Sequence, residues 1–337
     1  MKVILDAGKI EEKGKSHEYL KEMLQLPEHY GKNLDALHDC LTEMDKTEIL
    51  WDNIEHAGIY FRRVYLVFQR ACVENPGLSM RTFEGKKIAV LSDTHGFLRP
   101  EVIEILHDCD GAIHAGDINS REILNQIWDA SGRNKPFYVV RGNNDKAWAM
   151  DIPLTMEFTL GGAHFFLVHN KKDVPANKKD TQIIICGHSH KYLEDEKDGR
   201  LWLNPGSCGK RRFYQEITMA VLYLEETPQP GNSGWWVKKI EIPQDTSAGT
   251  EHLQKTPPQG LIPQENLSGI VQEIMKRMDK GQSVEAISKK LNIHPEFAEE
   301  ICRIQVTHPG VSVEGIVDKI EVNRSIYDKK TISTGNH

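Results

Sequence analysis

The stretch Lys86-Lys87-Ile88-Ala89-Val90-Leu91-Ser92-Asp93-Thr94-His95 joins a short apolar run to a cluster of polar side chains. The apolar run has the length and the branched side chains of a buried strand, and the polar residues that follow are unsuited to continue it. The same change from an apolar strand to a polar cluster occurs four more times along the chain. The sequence therefore predicts a layered α/β domain that carries a site on the loops at its strand ends.

The polar clusters contain seven oxygen or nitrogen donors and no thiolate. They are Asp93-Thr94-His95, Gly116-Asp117, Gly142-Asn143-Asn144-Asp145, His169-Asn170 and Gly187-His188-Ser189-His190. Each cluster by itself is often only a turn or a surface pair, but strand ends lie along one edge of such a sheet, so the ordered donors can converge. A set of this kind suits two divalent metals about 3.5–4 Å apart with a carboxylate between them, and Asp117 lies between the donors of the two sites. Imidazole and carboxylate ligands fit manganese, iron, cobalt, nickel or zinc better than calcium.

In this order the clusters resemble the motifs of the calcineurin-like metallophosphoesterase superfamily. The later run Asn204-Pro205-Gly206-Ser207 is similar to its small bacterial and archaeal phosphodiesterase branch, and the likeness covers about residues 86–225. The resemblance implies a layered β-sandwich flanked by helices and a metal-dependent phosphodiesterase, in which a metal-bridging hydroxide attacks phosphorus. It implies two divalent metal ions, with manganese expected first and nickel, cobalt, iron or zinc as alternatives. The implied ligands are Asp93, His95 and His190 for one ion, Asn143, His169 and His188 for the other, and Asp117 as the bridge.

One position departs from the pattern of the superfamily. Many members have a histidine where this chain has Asn144, and an amide cannot donate a catalytic proton as an imidazolium can. We therefore expect substrates with good leaving groups. Asp117, Asn144 and Asp145 form the predicted catalytic set, in which Asp145 orients the loop. Three basic residues are candidates for binding a substrate phosphate by charge, with a solvated face as the alternative; they are Lys210, Arg211 and Arg212.

A separate acidic pattern lies near the N-terminus. Asn33 is a candidate N-cap for a helix in which Asp35 and Asp39 are four residues apart and project from one face. Between Glu28 and Glu55 the chain has eight acidic and two basic residues. This pattern fits either a solvated helix face or a surface for a basic partner.

The acidic run and its surroundings over residues 1–84 resemble barstar, the intracellular inhibitor of barnase-type ribonucleases. The resemblance implies an α/β domain whose carboxylates replace RNA phosphates in a basic cleft. The implied ribonuclease-binding residues are His29, Asp35, His38 and Asp39. The two histidines stand where the best-known member has Tyr and Trp, and Arg70 stands where an acid is expected, so we expect a different or weaker target. In the alternative function, the protein is mainly a ribonuclease inhibitor or immunity protein, and the phosphoesterase domain is a scaffold or regulator.

The predicted organisation is an inhibitor domain, an enzyme domain, a linker and a small helical module. The ranges are 1–84, 86–242, 243–264 and 265–322, followed by a tail at 323–337. Residues 283–301 resemble a helix-turn-helix, with Asn292 in the turn and Pro295 in the first turn of the next helix. The second helix would place acids against DNA phosphates, so a protein-docking module is favoured over DNA binding; these acids are Glu296, Glu299 and Glu300, with Arg303 as the opposing base.

Composition limits the remaining function classes. The chain has 337 residues, 39% of them hydrophobic and 27% charged, which is typical of a folded globular protein. Its net charge of −7 argues against broad nucleic-acid binding, and no apolar run approaches the length of a membrane span. The six cysteines are scattered without a C-x-x-C pair, and no targeting segment is visible, so we expect a cytoplasmic protein.

Overall fold

The structure is a computed structural model. It describes residues 1–176, 178, 180–210, 216–228, 233–243, 267–280, 282, 284–293, 297–298, 301–302, 304–305, 311–318 and 320. One compact unit comprises residues 1–210 and 216–243, and the described helices beyond residue 266 belong to a second unit. The predicted linker from residue 244 onward and the predicted tail lie outside the described residues.

The N-terminal part of the first unit is a three-stranded parallel sheet covered by helices. Its elements are β1 (Lys2–Asp6), α1 (Lys13–Met23), α2 (Leu34–Thr42), β2 (Thr47–Asp52), α3 (Phe61–Glu74) and β3 (Leu78–Thr82), and the strand order is β1-β2-β3. Leu5, Trp51 and Phe68 are fully buried between the sheet and the helices. The predicted N-cap is confirmed, because Asn33 Oδ1 accepts a hydrogen bond of 2.9 Å from the Ala36 amide at the start of α2.

The central part is a sandwich of two five-stranded sheets, as predicted. Its elements are β4 (Gly85–Leu91), α4 (Pro100–His107), β5 (Gly111–His114), α5 (Arg121–Ser131), β6 (Phe137–Val139), β7 (Thr155–Leu160), β8 (Ala163–Val168), β9 (Ile183–Ile185), β10 (Tyr192–Lys197), β11 (Arg200–Pro205), β12 (Thr218–Glu225) and β13 (Trp235–Glu241). The sheet orders are β13-β12-β4-β5-β6 and β10-β11-β9-β8-β7. In each sheet, the strands that precede the polar clusters are parallel neighbours, so those clusters share one edge.

The first of these sheets is covered by two different layers. Helices α4 and α5 pack on part of its outer face, and the N-terminal sheet covers the rest, because Ile4 and Leu50 join the same apolar cluster as Tyr223 and Trp236. Polar contacts cross the same boundary. Asp52 is buried, and its two carboxylate oxygens lie 2.8 Å from Lys87 Nζ and 2.9 Å from the Tyr223 hydroxyl, which donates to it. The N-terminal sheet is therefore buried on both faces.

The second unit contains the predicted C-terminal helices. They are α6 (Leu267–Asp279) and α7 (Val284–Leu291), and Asn292 has φ +52°, as a turn residue at this point would. Val271, Ile287 and Phe297 contribute to an apolar cluster within this unit. The acids and the base of the predicted second helix lie outside the described residues; they are Glu296, Glu299, Glu300 and Arg303. In the described part of the chain, every helix is too short or too polar to cross a membrane.

Replacing Lys87 by methionine tests the boundary between the N-terminal sheet and the sandwich. The change leaves the Asp52 carboxylate buried without its cation, which lowers the unfolding free energy by about 3 kcal/mol. This value is the lower end of the usual range, because the Lys87 side chain is 20% exposed to solvent. The exposed neighbour Lys86 provides the matched control, Lys86→Met. Urea denaturation of the full chain measures both variants, and equal stabilities would contradict the role given to Asp52 and Lys87.

Candidate metal centre

The loops after β4, β5 and β9 pass through left-handed backbone conformations. The φ angles are +55° at Asp93, +47° at His95, +59° at Asp117, +69° at His188 and +57° at His190. Asp and His accept this region more readily than most residues, but each instance still costs about 1–3 kcal/mol and persists only where the surroundings enforce it. Such conformations therefore concentrate at functional sites, and here they fall on five of the seven predicted ligands.

Two motif glycines are required by close contact between neighbouring loops. A Cβ atom at Gly142 would lie 2.1 Å from Asp117 Oδ1, and a Cβ atom at Gly187 would lie 2.0 Å from the Ser92 hydroxyl oxygen. Neither contact is sterically allowed, so any larger residue would push the loops apart. The glycines of the G-N and G-H motifs thus allow the ligand loops to approach one another.

Asp93, His95 and His190 form the first group of donors. The Nε2 atoms of His190 and His95 lie 3.1 and 3.6 Å from Asp93 Oδ1, and they are 3.3 Å from each other. Asp93 is fully buried, and within the described residues no hydrogen bond satisfies its Oδ1 atom. A carboxylate oxygen and two imidazole nitrogens that face one point fit a divalent transition metal.

The second group contains Asp117, Asn143, His169 and His188. His169 Nδ1–H donates to the Ala115 carbonyl over 2.7 Å, so Nε2 is the ring atom that faces Asp117 Oδ2 at 3.5 Å and Asn143 Oδ1 at 3.1 Å. His188 Nδ1 lies 2.9 Å from the same Asn143 oxygen. Asp117 Oδ2 is also 3.9 Å from His95 Nε2, which places this carboxylate between the two groups. The structure thus brings all seven predicted ligands into one cluster.

The charges in the cluster are set by burial and by mutual contacts. Burial opposes ionisation of Asp93, but contacts with His190 and His95 outweigh it and hold the pKa of this carboxyl far below its usual range. Burial also opposes ionisation of Asp117, and the neighbouring His169 lowers its pKa below the usual value. Both carboxylates are therefore ionised near neutral pH, the form that binds cations.

Asn144 and Asp145, predicted to be catalytic, make contacts that position the loops. Asp145 accepts hydrogen bonds of 2.7–2.9 Å from the backbone amides of Ile118, Asn119 and Gly142, so it joins the loops after β5 and β6. Asn144 donates from its backbone N–H and its side-chain amide to the two oxygens of Asp117, over 2.8 and 2.6 Å. The amide of Asn144 is therefore engaged in holding Asp117.

Three supporting residues were not assigned these roles from the sequence. Asn204 donates to the Gly187 carbonyl over 2.7 Å, and the Ser207 hydroxyl donates to the Asp93 carbonyl over 2.8 Å, so the Asn-Pro-Gly-Ser run fixes two ligand loops. His114, fully buried at the end of β5, contacts the Gly116 amide through Nδ1 and the Thr94 hydroxyl through Nε2, both at 3.1 Å. A histidine at the end of an otherwise apolar strand was the available sequence signal for His114.

The other predicted binding residues are not among the donors of this cluster, and two of them lie outside the described residues. Lys210 is exposed, while Arg211 and Arg212 lie outside the described part of the chain. On α2, Asp35 and Asp39 are exposed, as is the preceding His29. His38 is half-buried, with Nε2 3.3 Å from the Glu74 carboxylate. The two acids of the predicted ribonuclease-binding surface are thus accessible to a partner.

Comparisons with known proteins identify the family. Residues 87–227 match the calcineurin-like phosphoesterase superfamily domain. A protein of Mycoplasma pneumoniae named Probable metallophosphoesterase is 32% identical over 136 residues, which cover 36% of this chain and 78% of that protein. The chain belongs to the metallophosphoesterase family. A phosphodiesterase of Methanocaldococcus jannaschii is 28% identical to the present chain over 143 residues, which cover 36% of this chain and 84% of that protein.

The N-terminal part matches a second family. Residues 1–76 match Barstar, the barnase inhibitor. A Bacillus subtilis protein with the name "Putative ribonuclease inhibitor YrdF" is 49% identical over 41 residues, which cover 12% of this chain and 45% of that protein. The predicted pairing of a metallophosphoesterase domain with a barstar-like domain is confirmed by the two family matches.

Among solved structures, an archaeal phosphodiesterase aligns with 22% identity and a TM-score of 0.37, covering 46% of this chain and 99% of that one.

The metallophosphoesterase should lose stability in acid partly through His114. Burial lowers the pKa of this imidazole from 6.5 to about 3. His114 therefore binds a proton below about pH 6.5 in the unfolded chain, but only below about pH 3 in the folded chain. As the pH decreases across this interval, the unfolding free energy therefore decreases, by at most about 1.4 kcal/mol per pH unit from this one group. His114→Gln should remove that contribution. Urea denaturation with a chelator from pH 7 to pH 4 compares the two slopes, and identical slopes would contradict this assignment.

Proposed function

We propose that this metallophosphoesterase hydrolyses phosphodiesters with two bound divalent metals. The observation that carries the proposal is the position of Asp117, whose Oδ2 lies 3.5 Å from His169 Nε2 and 3.9 Å from His95 Nε2. One carboxylate oxygen within reach of donors from both groups suits a ligand shared by two cations. The membership of the metallophosphoesterase family and the naming of its Methanocaldococcus relative as a phosphodiesterase support the same reaction.

The proposed ligands divide into two sets that share Asp117. Asp93, His95 and His190 would hold one ion, and Asn143, His169 and His188 the other. When bound, such ions lower the pKa of water and neutralise charge that develops on phosphate oxygens. The mixed imidazole, carboxylate and amide set is compatible with manganese, our first choice, and with nickel, cobalt, iron or zinc.

The residues around the ligands limit the substrate. Asn144 holds both oxygens of Asp117 and has no proton to give to a leaving alkoxide, so the chain offers no general acid at that position. The leaving group must then depart without this help, which favours esters whose alcohols or phenols are acidic. Exposed Lys210 is a candidate for attracting the negatively charged ester.

Replacing Asp117 by asparagine tests the hydrolase. We expect manganese-dependent hydrolysis of an activated aryl phosphodiester by the wild-type chain and background hydrolysis by Asp117→Asn, because the amide lacks the charge needed between two cations. Metal content of the purified chains should fall in parallel. Asp129→Asn is the matched control and should keep full activity, because Asp129 lies on α5 and forms an exposed ion pair with Arg133. A fully active Asp117→Asn chain, or a wild-type chain inactive with every divalent metal tested, would end the proposal.

The N-terminal domain supports a second function, the binding of a basic ribonuclease. Its match to Barstar and the exposure of Asp35 and Asp39 on one face of α2 favour a surface that mimics RNA phosphates. This surface differs from the acidic one that the resemblance leads us to expect, because His38 contacts Glu74 and because residue 70 is the basic Arg70. The inhibitor role accompanies the hydrolase in this proposal, whereas in the alternative it is the main role and the central domain is its scaffold.

Asp39→Ala tests the inhibitor surface in the full chain. Loss of one charge from a desolvated pair costs about 2 kcal/mol or more, so affinity for a barnase-type ribonuclease should fall at least about thirtyfold. Glu11→Ala removes an exposed acid outside α2 and should leave the affinity unchanged. Titration calorimetry at constant ionic strength measures both. Equal losses in the two variants, or a wild-type chain that binds no ribonuclease of this type, would exclude the inhibitor function.

A further inference from the structure

Asn119 lies beside the cluster without belonging to either group of donors. It follows Asp117 and Ile118 in the loop after β5 and has φ +70°. Its backbone N–H donates to Asp145 Oδ1 over 2.7 Å, and its side-chain amide nitrogen lies 3.3 Å from His95 Nδ1. The strained backbone of Asn119 thus holds a side chain against the outer nitrogen of a proposed metal ligand.

The ring of His95 presents its two nitrogens to different surroundings. Nε2 faces Asp93 Oδ1 and His190 Nε2, at 3.6 and 3.3 Å, while Nδ1 faces Asn119. A neutral histidine carries one ring proton, so Nε2 can bind a cation only when the proton is on Nδ1. A proton on Nδ1 requires an acceptor, and histidines that ligate metals usually find one in a neighbouring oxygen.

The amide of Asn119 can meet either state of the ring. With its nitrogen toward His95, the amide donates to an unprotonated Nδ1, and the ring proton then occupies Nε2 and blocks it. With its oxygen toward His95, the amide accepts from Nδ1–H and leaves the Nε2 lone pair free. The two orientations have almost the same shape, so a half-turn of the amide accompanies the change from one tautomer to the other.

We propose that Asn119 is a positioning residue that selects the metal-binding tautomer of His95. The inference rests on the proposed function, because it takes His95 as a ligand. Asparagine meets both demands of the position. It tolerates the left-handed backbone better than most residues, and a half-turn of its amide replaces the nitrogen that lies 3.3 Å from His95 Nδ1 by the amide oxygen. Asp145 fixes the backbone of Asn119 and also binds the amide of Gly142, so the selection is linked to the loops that hold Asp117 and Asn143.

A purely structural role for Asn119 makes a different prediction. If only the left-handed backbone mattered, glycine would replace asparagine without loss, because glycine adopts this conformation freely. If the side-chain oxygen matters, Asn119→Gly fails and Asn119→Asp succeeds, because a carboxylate accepts the same hydrogen bond. The two substitutions therefore separate the backbone from the acceptor.

The experiment uses the full chain with manganese and two readouts. Calorimetry should show that Asn119→Gly binds Mn²⁺ about 10–100-fold more weakly than the wild type, while Asn119→Asp keeps its affinity. Nitrogen-15 NMR of the metal-free chains should show more His95 with the proton on Nδ1 in the wild type and Asn119→Asp than in Asn119→Gly.

Each other result counts against the inference. Wild-type affinity and an unchanged His95 tautomer in Asn119→Gly would overturn it and leave the proposed function standing. Equal weakening in Asn119→Asp and Asn119→Gly would overturn it as well, because the acceptor would then be irrelevant. A wild-type chain that binds no Mn²⁺ or other divalent metal would overturn both this inference and the proposed function.

Discussion

The cluster of candidate metal ligands depends on one backbone constraint, the left-handed conformation with which the chain leaves β4, β5 and β9. Strand ends alone bring loops to a common edge, but they do not aim side chains from several strands at one point. The left-handed residues also join the loops to one another: the Asp93 amide donates to the Gly116 carbonyl, and the His95 amide donates to the Asp117 carbonyl, each over 2.9 Å. The residues that supply the ligand atoms are thus also the residues that hold the loops together. Because glycine is unavailable at a ligand position, aspartate and histidine serve both purposes at some cost in free energy.

The sequence was sufficient to predict the strands that carry the ligands, because each is an apolar run that stops at a polar cluster. Strand β10 was not predicted. In β10 the residues from Glu194 to Lys197 are charged and exposed at a sheet edge, so no apolar pattern marks the strand. The contacts of His114, Asn119 and Asn204 could not be predicted from the sequence, because they depend on which loops meet in space. Motif position placed Asn144 and Asp145 in the catalytic set and gave Asp145 the task of orienting the loop. The particular partners, Asp117 for Asn144 and backbone amides for Asp145, were visible only in the structure.

The joint between the N-terminal sheet and the sandwich had a sequence signal of its own. In β1 and β2 the neighbours Ile4 and Leu5, and likewise Ile49 and Leu50, point to opposite faces and are all apolar. A parallel sheet with apolar residues on both faces needs two covering layers, and the helices of the N-terminal domain supply only one. The second layer is the sandwich, reached through only two residues between β3 and β4. The buried contact of Asp52 with Lys87 and Tyr223 then adds a polar requirement to the apolar one.

This shared layer has a consequence for how such a fusion changes over generations. Tyr223 and Trp236 belong to the sandwich, yet they are buried partly by a domain of different ancestry. Exchange of the N-terminal module by recombination would expose both aromatic rings to water unless the incoming module had a matching face. A substitution on this face of the sandwich therefore changes the packing of the barstar-like part as well, and the two parts must remain compatible at their shared layer.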